Sequence, residues 1–199
     1  MGVEIGYKLV VTVKDKNGKV VEKRKVKGNS FVSNFIKALY GLMYEDACSD
    51  VIELTDINGN SKWYPALDYQ TDPIFRVTAQ EGEDKYGILY GTGTKAFDVN
   101  DYKLEAVIPH GDADNQLHYY STDLLAVEIS DNRVQYGIQR PAVNNGSAAI
   151  DVTEIGLVAF DVTHYDELWF LIIRDVLDTA ITVNPNQTIT ATYTIYTTF

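Results

Sequence analysis

Three short stretches of the chain contain residues whose types and spacing could support chemistry. The first, Gly91-Thr-Gly-Thr-Lys95, has the glycines and the lysine of a phosphate-binding loop. It lacks the G-x-x-x-x-G-K-S/T spacing, and the residues that follow, 97–102, predict a loop where a helix N-terminus would have to face the phosphate. The stretch therefore does not predict nucleotide binding.

The other two stretches are acidic and resemble calcium-binding loops in part. Asp112, Asp114 and Asp123 occupy the first, third and twelfth positions of an EF-hand loop, but Leu117 stands where the sharp turn needs glycine. No flanking helices are predicted there, and the same holds for the cluster at 98–101. Both stretches predict solvated acidic loops, and we expect no divalent metal ion to be essential.

The remaining reactive residue types show no catalytic arrangement. The histidines His110, His118 and His164 and the single cysteine, Cys48, lack the H-x-x-x-H or C-x-x-C spacing of metal ligands. Ser147 lies outside any G-x-S-x-G turn. A pair of carboxylates for glycoside hydrolysis stays open, because its members can come from any two strands. The sequence therefore predicts a protein that is not an enzyme and that needs no cofactor.

The charge of the chain limits its partners. Its 199 residues include 17 basic and 28 acidic ones, and the net charge is -11. Affinity for nucleic-acid phosphates or anionic lipid depends on clustered Lys and Arg, so we expect neither nucleic acid nor membrane as a partner. The one basic stretch, 19–27, alternates in part with valine, which favours a solvated strand face over a binding patch.

Two further features concern the compartment. No apolar run approaches the ~20 residues of a membrane helix, and the N-terminal residues lack the pattern of an export signal. A single cysteine excludes a disulfide within the chain and suits a reducing environment. We therefore expect synthesis in a cytoplasm.

The first 44 residues predict a hairpin followed by a helix. Two strands within 5–27 flank a turn in which Asn17-Gly18 supplies positive φ. Apolar residues then recur every three or four positions through 30–44, which predicts an amphipathic helix with Ser30 as its N-cap. Its apolar face needs burial, against either the sheet of the same chain or a neighbouring subunit. The bulky residues of that face are Phe31, Phe35, Leu39 and Met43.

Beyond the helix, turn residues and alternating apolar residues predict strands along the rest of the chain. The predicted strands are 51–56, 62–67, 75–78, 86–90, 117–129, 133–143, 150–160, 167–174 and 188–196. Many strands with regular turns and one good helix predict a mainly β protein, an antiparallel β-sandwich that is jelly-roll-like. No repeat or linker is evident, so we expect residues 1–199 to form one domain.

The clearest predicted strand is the last one. Threonine alternates with apolar residues from Thr188 onward, and the segment ends on Tyr196 and Phe199. No later segment follows to cover its edge, so we expect its end to form a subunit interface together with the helix face. The candidate interface residues are Phe31, Phe35, Leu39, Met43, Tyr196 and Phe199.

Five separated stretches form an ordered pattern along the chain. They are Gly91-Thr-Gly-Thr, Asp101-Tyr-Lys-Leu-Glu105, Thr153-Glu-Ile-Gly-Leu157, Leu171-Ile-Ile-Arg-Asp-Val176 and Val183-Asn-Pro-Asn before the closing strand. This order resembles virion proteins of tailed phages and related archaeal viruses, where GTGT, DY-L-E, TEIGL and VNPGD elements succeed one another. Residues 29–35 also resemble a helix opening in some of those proteins. Asn186 departs from the usual glycine, and Lys95-Ala-Phe replaces a proline-rich stretch.

The resemblance implies a structural subunit of a virus particle. Such subunits serve in a tail, a baseplate, a fibre or the capsid surface, and many are symmetric homo-oligomers. The implied partners are further copies of the chain and other virion proteins, and a host-surface glycan is a candidate ligand. The implied location is the virion, after synthesis in the host cytoplasm.

The aromatic content leaves a second function open. The chain has 14 tyrosines together with Trp63 and Trp169, and exposed aromatic rows can stack on sugar rings. Sheets use the same residues for cross-strand packing, which favours packing or subunit contacts. The alternative to a virion protein is therefore a carbohydrate-binding or adhesin module.

Overall fold

The last strand shows how the sequence builds this fold. Ile189, Ala191 and Tyr193 are fully buried, whereas the threonines between them stay partly exposed. β-Branched and aromatic residues suit such a half-buried strand. In the computed structural model, which describes residues 4–26, 28, 30–42, 50–65, 76–162 and 167–198, this strand lies in the middle of a large sheet.

The described residues form twelve strands and one helix. They are β1 (Glu4–Lys14), β2 (Val20–Val26), α1 (Ser33–Leu42), β3 (Asp50–Thr55), β4 (Ser61–Pro65), β5 (Gly87–Gly91), β6 (His118–Tyr119), β7 (Asp123–Leu124), β8 (Glu128–Ser130), β9 (Arg133–Val143), β10 (Ile150–Val162), β11 (Glu167–Val183) and β12 (Thr188–Thr198). These bounds confirm a mainly β chain with a helix near its N-terminus.

Two unequal sheets pack face to face. The large sheet has the order β2-β1-β12-β9-β6, with β7 and β8 also paired to β9, and the small sheet has the order β11-β10-β5. All of these pairs are antiparallel, and β3 and β4 form a separate hairpin. The core lies between the inner faces, where Leu9 and Val11 of the large sheet join Ile155 and Leu157 of the small one. The predicted antiparallel β-sandwich is confirmed.

The N-terminal hairpin forms where the sequence predicts it. Its turn places Gly18 at φ 80°, and Asp15 accepts hydrogen bonds from the amides of Asn17 and Lys19. β1 and β2 then pair from Lys14 outward. Residue 27, the predicted end of the hairpin, lies outside the described residues.

The helix begins at Ser33, later than predicted. Ser30, the predicted N-cap, accepts a hydrogen bond from the amide of Arg174 at 3.2 Å, and the amide of Val32 donates to Ile172 at 3.1 Å. Residues 30–32 are therefore extended along the free edge of β11, because that edge offers backbone partners which helical periodicity does not reveal. The predicted end of the helix, residues 43–44, lies outside the described residues.

The predicted strand at 117–129 is split into β6, β7 and β8. Between β6 and β7 the carbonyl of Tyr120 accepts a hydrogen bond from Arg140 Nε at 2.8 Å, and the amide of Thr122 donates to Ala79 at 2.8 Å. The bond to Ala79 draws Thr122 away from the ladder of β9, so β6 and β7 are separate strands. The interruption therefore has a tertiary cause.

Three other predicted strands differ in extent. β11 continues to Val183, although the sequence predicted an end at Arg174, because Arg174 and Asp175 are buried with hydrogen-bond partners and the later residues pair with β10. The segment predicted at 75–78 forms a single bridge, between Arg76 and Phe160, and residue 75 lies outside the described part. β4 ends at Pro65, and the predicted residues 66–67 are likewise outside it.

The last strand has partners along both of its edges. β12 pairs with β1 from Thr188 to Thr198 and with β9 over the same residues. The expectation that its end lacks a covering segment is therefore wrong. The cover comes from the opposite end of the chain, and local sequence patterns do not show such long-range pairing.

Candidate functional site

The ordered sequence pattern converges on one buried carboxylate, Glu154 of β10. Its side chain is fully buried and accepts hydrogen bonds from the amides of Gly93 at 3.2 Å, Glu105 at 3.1 Å and Ala106 at 2.8 Å. Arg174 Nε of β11 donates to the same carboxylate at 2.9 Å. Glu154 therefore fastens the loop after β5 to the outside of the small sheet.

Arg174 links this carboxylate to a second one. Its guanidinium, 1% exposed, also donates to Asp101 at 2.7 Å and to the carbonyl of Lys95 at 3.0 Å. Burial acts to raise the pKa of Asp101, but hydrogen bonds from the amide of Asp98, from Lys95 and from Arg174 hold that pKa below its usual value. We call Glu154, Arg174 and Asp101 the buried ionic network.

The glycines of the pattern are needed for close packing around this network. A Cβ atom at Gly91 would lie 2.6 Å from Glu154 Oε1, and one at Gly93 would overlap the same oxygen. A Cβ atom at Gly156 would overlap the side chain of Leu104. The GTGT, DY-L-E and TEIGL stretches therefore meet as parts of one packing arrangement.

The phosphate-like stretch has its amides engaged by a carboxylate of the same chain. The amides of Thr94 and Lys95 donate to Glu105 at 2.6 Å and 2.7 Å. These two hydrogen bonds lower the pKa of Glu105. The donors that a phosphate would require are thus already paired, which agrees with the absence of the motif spacing.

The acidic loop at 112–123 uses its carboxylates to join two loops. Asp112 accepts a hydrogen bond from Asn145 Nδ2 at 2.7 Å, and Asp114 accepts from the amide and the hydroxyl of Ser147 at 2.7 Å and 3.0 Å. These bonds lower the pKa of each aspartate. Among the described residues, no group of three or more His, Cys, Asp or Glu side chains is arranged to hold a metal ion.

Two of the three histidines lie together at this loop, His118 within it and His110 just before it. The His118 ring contacts Glu81 at 2.9 Å and Asp112 at 3.1 Å, and its centroid is 4.9 Å from that of His110. The hydrogen bond with Glu81, followed by that with Asp112, raises the pKa of His118. Carboxylates face both ring nitrogens, which suits a surface ion pair. His164 lies outside the described residues.

Sequence reasoning missed a second buried arginine, Arg140 of β9. Its side chain is fully buried, it lies 4.6 Å from the centroid of the Tyr119 ring, and burial lowers its pKa. The guanidinium donates to the backbone carbonyls of Tyr120, Tyr86, Ile88, Gln80 and Glu83. It ties the segment before β5 to the large sheet. Within a predicted strand, nothing distinguished this arginine from a solvent-facing one.

Another buried ionisable residue, Asp175, lies between two tyrosines. Its carboxylate accepts hydrogen bonds from the hydroxyl of Tyr7 at 2.7 Å and from that of Tyr193 at 3.0 Å. Burial raises the pKa of Asp175 from 3.8 to about 6, although both hydrogen bonds act to lower it. The folded state therefore holds this proton more tightly than the unfolded chain does.

We expect Asp175 to make stability depend on pH between about 4 and 6. Its contribution to the free energy of unfolding is greatest below the unfolded pKa, decreases as the pH rises through the folded pKa, and is constant above it. The rise in the pKa of Asp175 from 3.8 to about 6 corresponds to roughly 3 kcal/mol of the free energy of unfolding. The free energy of unfolding of the wild type minus that of Asp175→Asn, measured in urea at a series of pH values, should show this decrease, because the carboxylates whose pKa is lowered oppose it equally in both proteins. The difference between Asp151→Asn, an exposed control, and Asp175→Asn should show it too, and a difference that does not change with pH would contradict the assignment.

The predicted interface residues that the structure describes lie on two different surfaces. Phe31 and Phe35 stack with their centroids 4.1 Å apart, and Phe31 meets Tyr7 edge-on at 4.9 Å. Both phenylalanines are partly buried against the core, and Leu39 follows Phe35 by one helical turn. Met43 and Phe199 lie outside the described residues.

Tyr196 lies on the opposite face of the large sheet. Its neighbour Ile195 points inward, so Tyr196 points to the outer face. There the Arg133 guanidinium lies 3.8 Å from its ring centroid and the Lys8 ammonium lies 5.7 Å from it. A Cβ atom at Gly6 would lie 2.8 Å from its hydroxyl oxygen. Tyr196 therefore packs within its own sheet.

An apolar groove of about 420 Å³ opens between α1 and the segment that holds β7 and β8. One wall consists of Phe35 and Leu39, and the other of Leu124, Leu125 and Val127. Inward-facing residues of both sheets form its floor, among them Tyr136, Ile138, Leu157, Ile172 and Ile195. We call this feature the apolar groove, and two of the predicted interface residues line it.

The far wall of the apolar groove is strongly exposed. Leu124 is 56% and Val127 62% exposed, and nearby Ile129 reaches 79%. Scattered exposed apolar residues are common, but several gathered beside a groove are typical of a binding surface. The wall was not predicted, because its residues had been assigned to one regular strand.

A polar hollow of about 670 Å³ lies on the outer face of the large sheet. Threonines of β1 and β12 line it together with side-chain amides. These residues include Thr12, Thr188, Thr190, Thr192, Gln139 and Asn145. Hydroxyl and amide groups of this kind hydrogen-bond polar ligands.

The fold and its surfaces define an antiparallel β-sandwich with an apolar groove on one side and a polar hollow on the other. No helix of the described residues is long and apolar enough to span a membrane. No family model, curated protein or solved structure matches the chain.

Proposed function

We propose that the protein is a non-enzymatic structural subunit of a virus particle, present in repeated copies in a tail, baseplate, fibre or capsid surface. The observation that carries this proposal is the exposed wall of the apolar groove. Leaving apolar surface in water forgoes about 25 cal/mol per Å² of stabilisation that burial against another subunit would supply. A repeated structural subunit is a protein in which every copy can bury such a groove.

The geometry of the sequence pattern supports the viral part of the proposal. Its stretches around Gly93, Glu105 and Glu154 lie far apart in sequence, yet they meet at the buried ionic network with Arg174. A common packing requirement accounts for their joint occurrence. The resemblance thus rests on residues that depend on one another physically.

The proposal is tested by locating the protein and by altering the groove. In virus particles purified from a culture that carries this gene, mass spectrometry should detect the chain as an abundant particle protein. Leu124→Asp should reduce self-association at least tenfold in analytical ultracentrifugation, because it places a charge in the groove wall. Val99→Asp changes an apolar residue that is 52% exposed outside the groove and should have little effect. A monomeric protein that is absent from particles would overturn the proposal.

The polar hollow favours the alternative, a carbohydrate-binding or adhesin module. Its row of threonine hydroxyls next to Gln139 and Asn145 offers donors and acceptors to sugar hydroxyls. Glycan-array binding that Gln139→Ala abolishes, with glycosidase or surface-anchoring genes beside this one, would support that function. Portal, tail or capsid genes in the same position would support the virion role.

A further inference from the structure

The large sheet has two outer edges of opposite charge. One edge of the large sheet is β2. The opposite edge is formed by β6, β7 and β8, which all pair with β9. No strand among the described residues pairs with the outer side of β2 or of β8. The exposed charged residues are Lys19, Lys23 and Lys25 at the first edge and Asp123, Glu128 and Asp131 at the second.

The basic edge is an exception in this chain. Residues 14–27 hold seven of the 17 basic residues and two of the 28 acidic ones, which leaves ten basic and 26 acidic residues elsewhere. A basic edge on an otherwise acidic protein is electrostatically complementary to the acidic surface of another copy. The second edge offers such a surface, since residues 123–132 are all exposed.

Both edges also carry exposed apolar side chains. Val20 and Val21 of β2 are 47% and 49% exposed, and Leu124 and Val127 at the opposite edge form the wall of the apolar groove. Unpaired backbone groups at a strand edge readily accept another strand. The two edges are therefore complementary: their charges are opposite, both carry exposed apolar side chains, and both offer backbone groups for strand pairing.

We propose that copies of the chain associate head to tail, with the basic β2 edge of one copy lying along the acidic β7–β8 edge and apolar groove of the next. This inference rests on the proposed function, because it names the occupant of the same groove. Each copy contributes two different surfaces, so the contact is heterologous and leads to a closed ring or an open filament.

Charge reversal with complementation tests this arrangement. Lys23→Glu with Lys25→Glu makes both edges acidic, and Asp123→Lys with Glu128→Lys makes both edges basic. Each variant alone should associate at least tenfold more weakly than the wild type, because like charges then meet at every contact. An equimolar mixture of the two should recover association, since each edge again faces its opposite. Sedimentation velocity measures all three samples.

A matched control reverses the charge of two lysines that lie away from both edges. Lys85→Glu with Lys103→Glu alters two exposed lysines away from both edges and should associate as the wild type does. Thermal unfolding of each variant verifies that it folds. Added salt should weaken association of the wild type, because it screens exposed charges.

Two outcomes would overturn the inference. Association that neither reversal changes would mean that the lysines only protect the β2 edge from pairing, as lysines on edge strands often do. Weak association of both variants without recovery in the mixture would mean that the reversed charges weaken association without facing each other across one contact. Both outcomes can occur in a protein that is abundant in particles, so they are distinguishable from failure of the virion proposal.

Discussion

Replacing Arg174 with methionine is expected to lower the free energy of unfolding by about 3–5 kcal/mol. The substitution leaves the carboxylates of Glu154 and Asp101 buried without their cation, and removing one partner of a buried ion pair costs far more than the pair contributes. Domains of this kind have a free energy of unfolding of about 5–15 kcal/mol, so the substitution should remove a large part of it. Urea unfolding at neutral pH measures the change.

The matched control for this prediction is Lys95→Met. Lys95 contacts the same Asp101 at 3.0 Å, but its side chain is 60% exposed, so its loss should change stability little. The double variant Arg174→Met with Glu154→Gln should be less destabilised than the sum of the two single variants, because the two side chains interact directly. Equal, small effects of Arg174→Met and Lys95→Met would show that the buried ionic network does not fasten the loop after β5 to the small sheet.

Arg140→Met is expected to destabilise the protein by at least about 3 kcal/mol. The guanidinium donates to five backbone carbonyls, and a buried acceptor left without a donor costs about 1–3 kcal/mol. The loss should be concentrated in the segment 80–90 and at Tyr120, whose carbonyls are the acceptors. Urea unfolding gives the total change, and amide hydrogen exchange locates it.

Arg140→Lys separates charge from geometry. Lysine keeps the positive charge but lacks the planar fork that reaches several carbonyls at once, so it should restore only part of the stability. Hydrogen exchange in the segment before β5 should then lie between the values for the wild type and Arg140→Met. Full recovery by lysine would contradict the role given to the five hydrogen bonds.

Residues that resembled chemical motifs prove to serve the architecture. Lys95 and the glycines before it suggested a phosphate loop, yet the amides of Thr94 and Lys95 donate to Glu105, and the missing side chains of Gly91 and Gly93 make room for Glu154. Asp112 and Asp114 suggested calcium ligands, yet they hold the loop at 145–148. In each case the residue type and the loop position were visible in the sequence, but the partner came from another part of the chain.

The sequence alone determined where most strands lie, because a half-buried strand needs alternating apolar residues and a hairpin turn needs residues such as Asn17-Gly18. It also determined the apolar face of the helix that holds Phe35 and Leu39. Only the tertiary structure decided that β1 covers the last strand, that Arg140 and Arg174 are buried, and that Leu124 stands exposed beside the helix. The physical reason is that periodicity reports which side of an element faces the core. The partner that each buried charge or strand edge meets depends on contacts between residues distant in sequence, such as Tyr7 with Asp175.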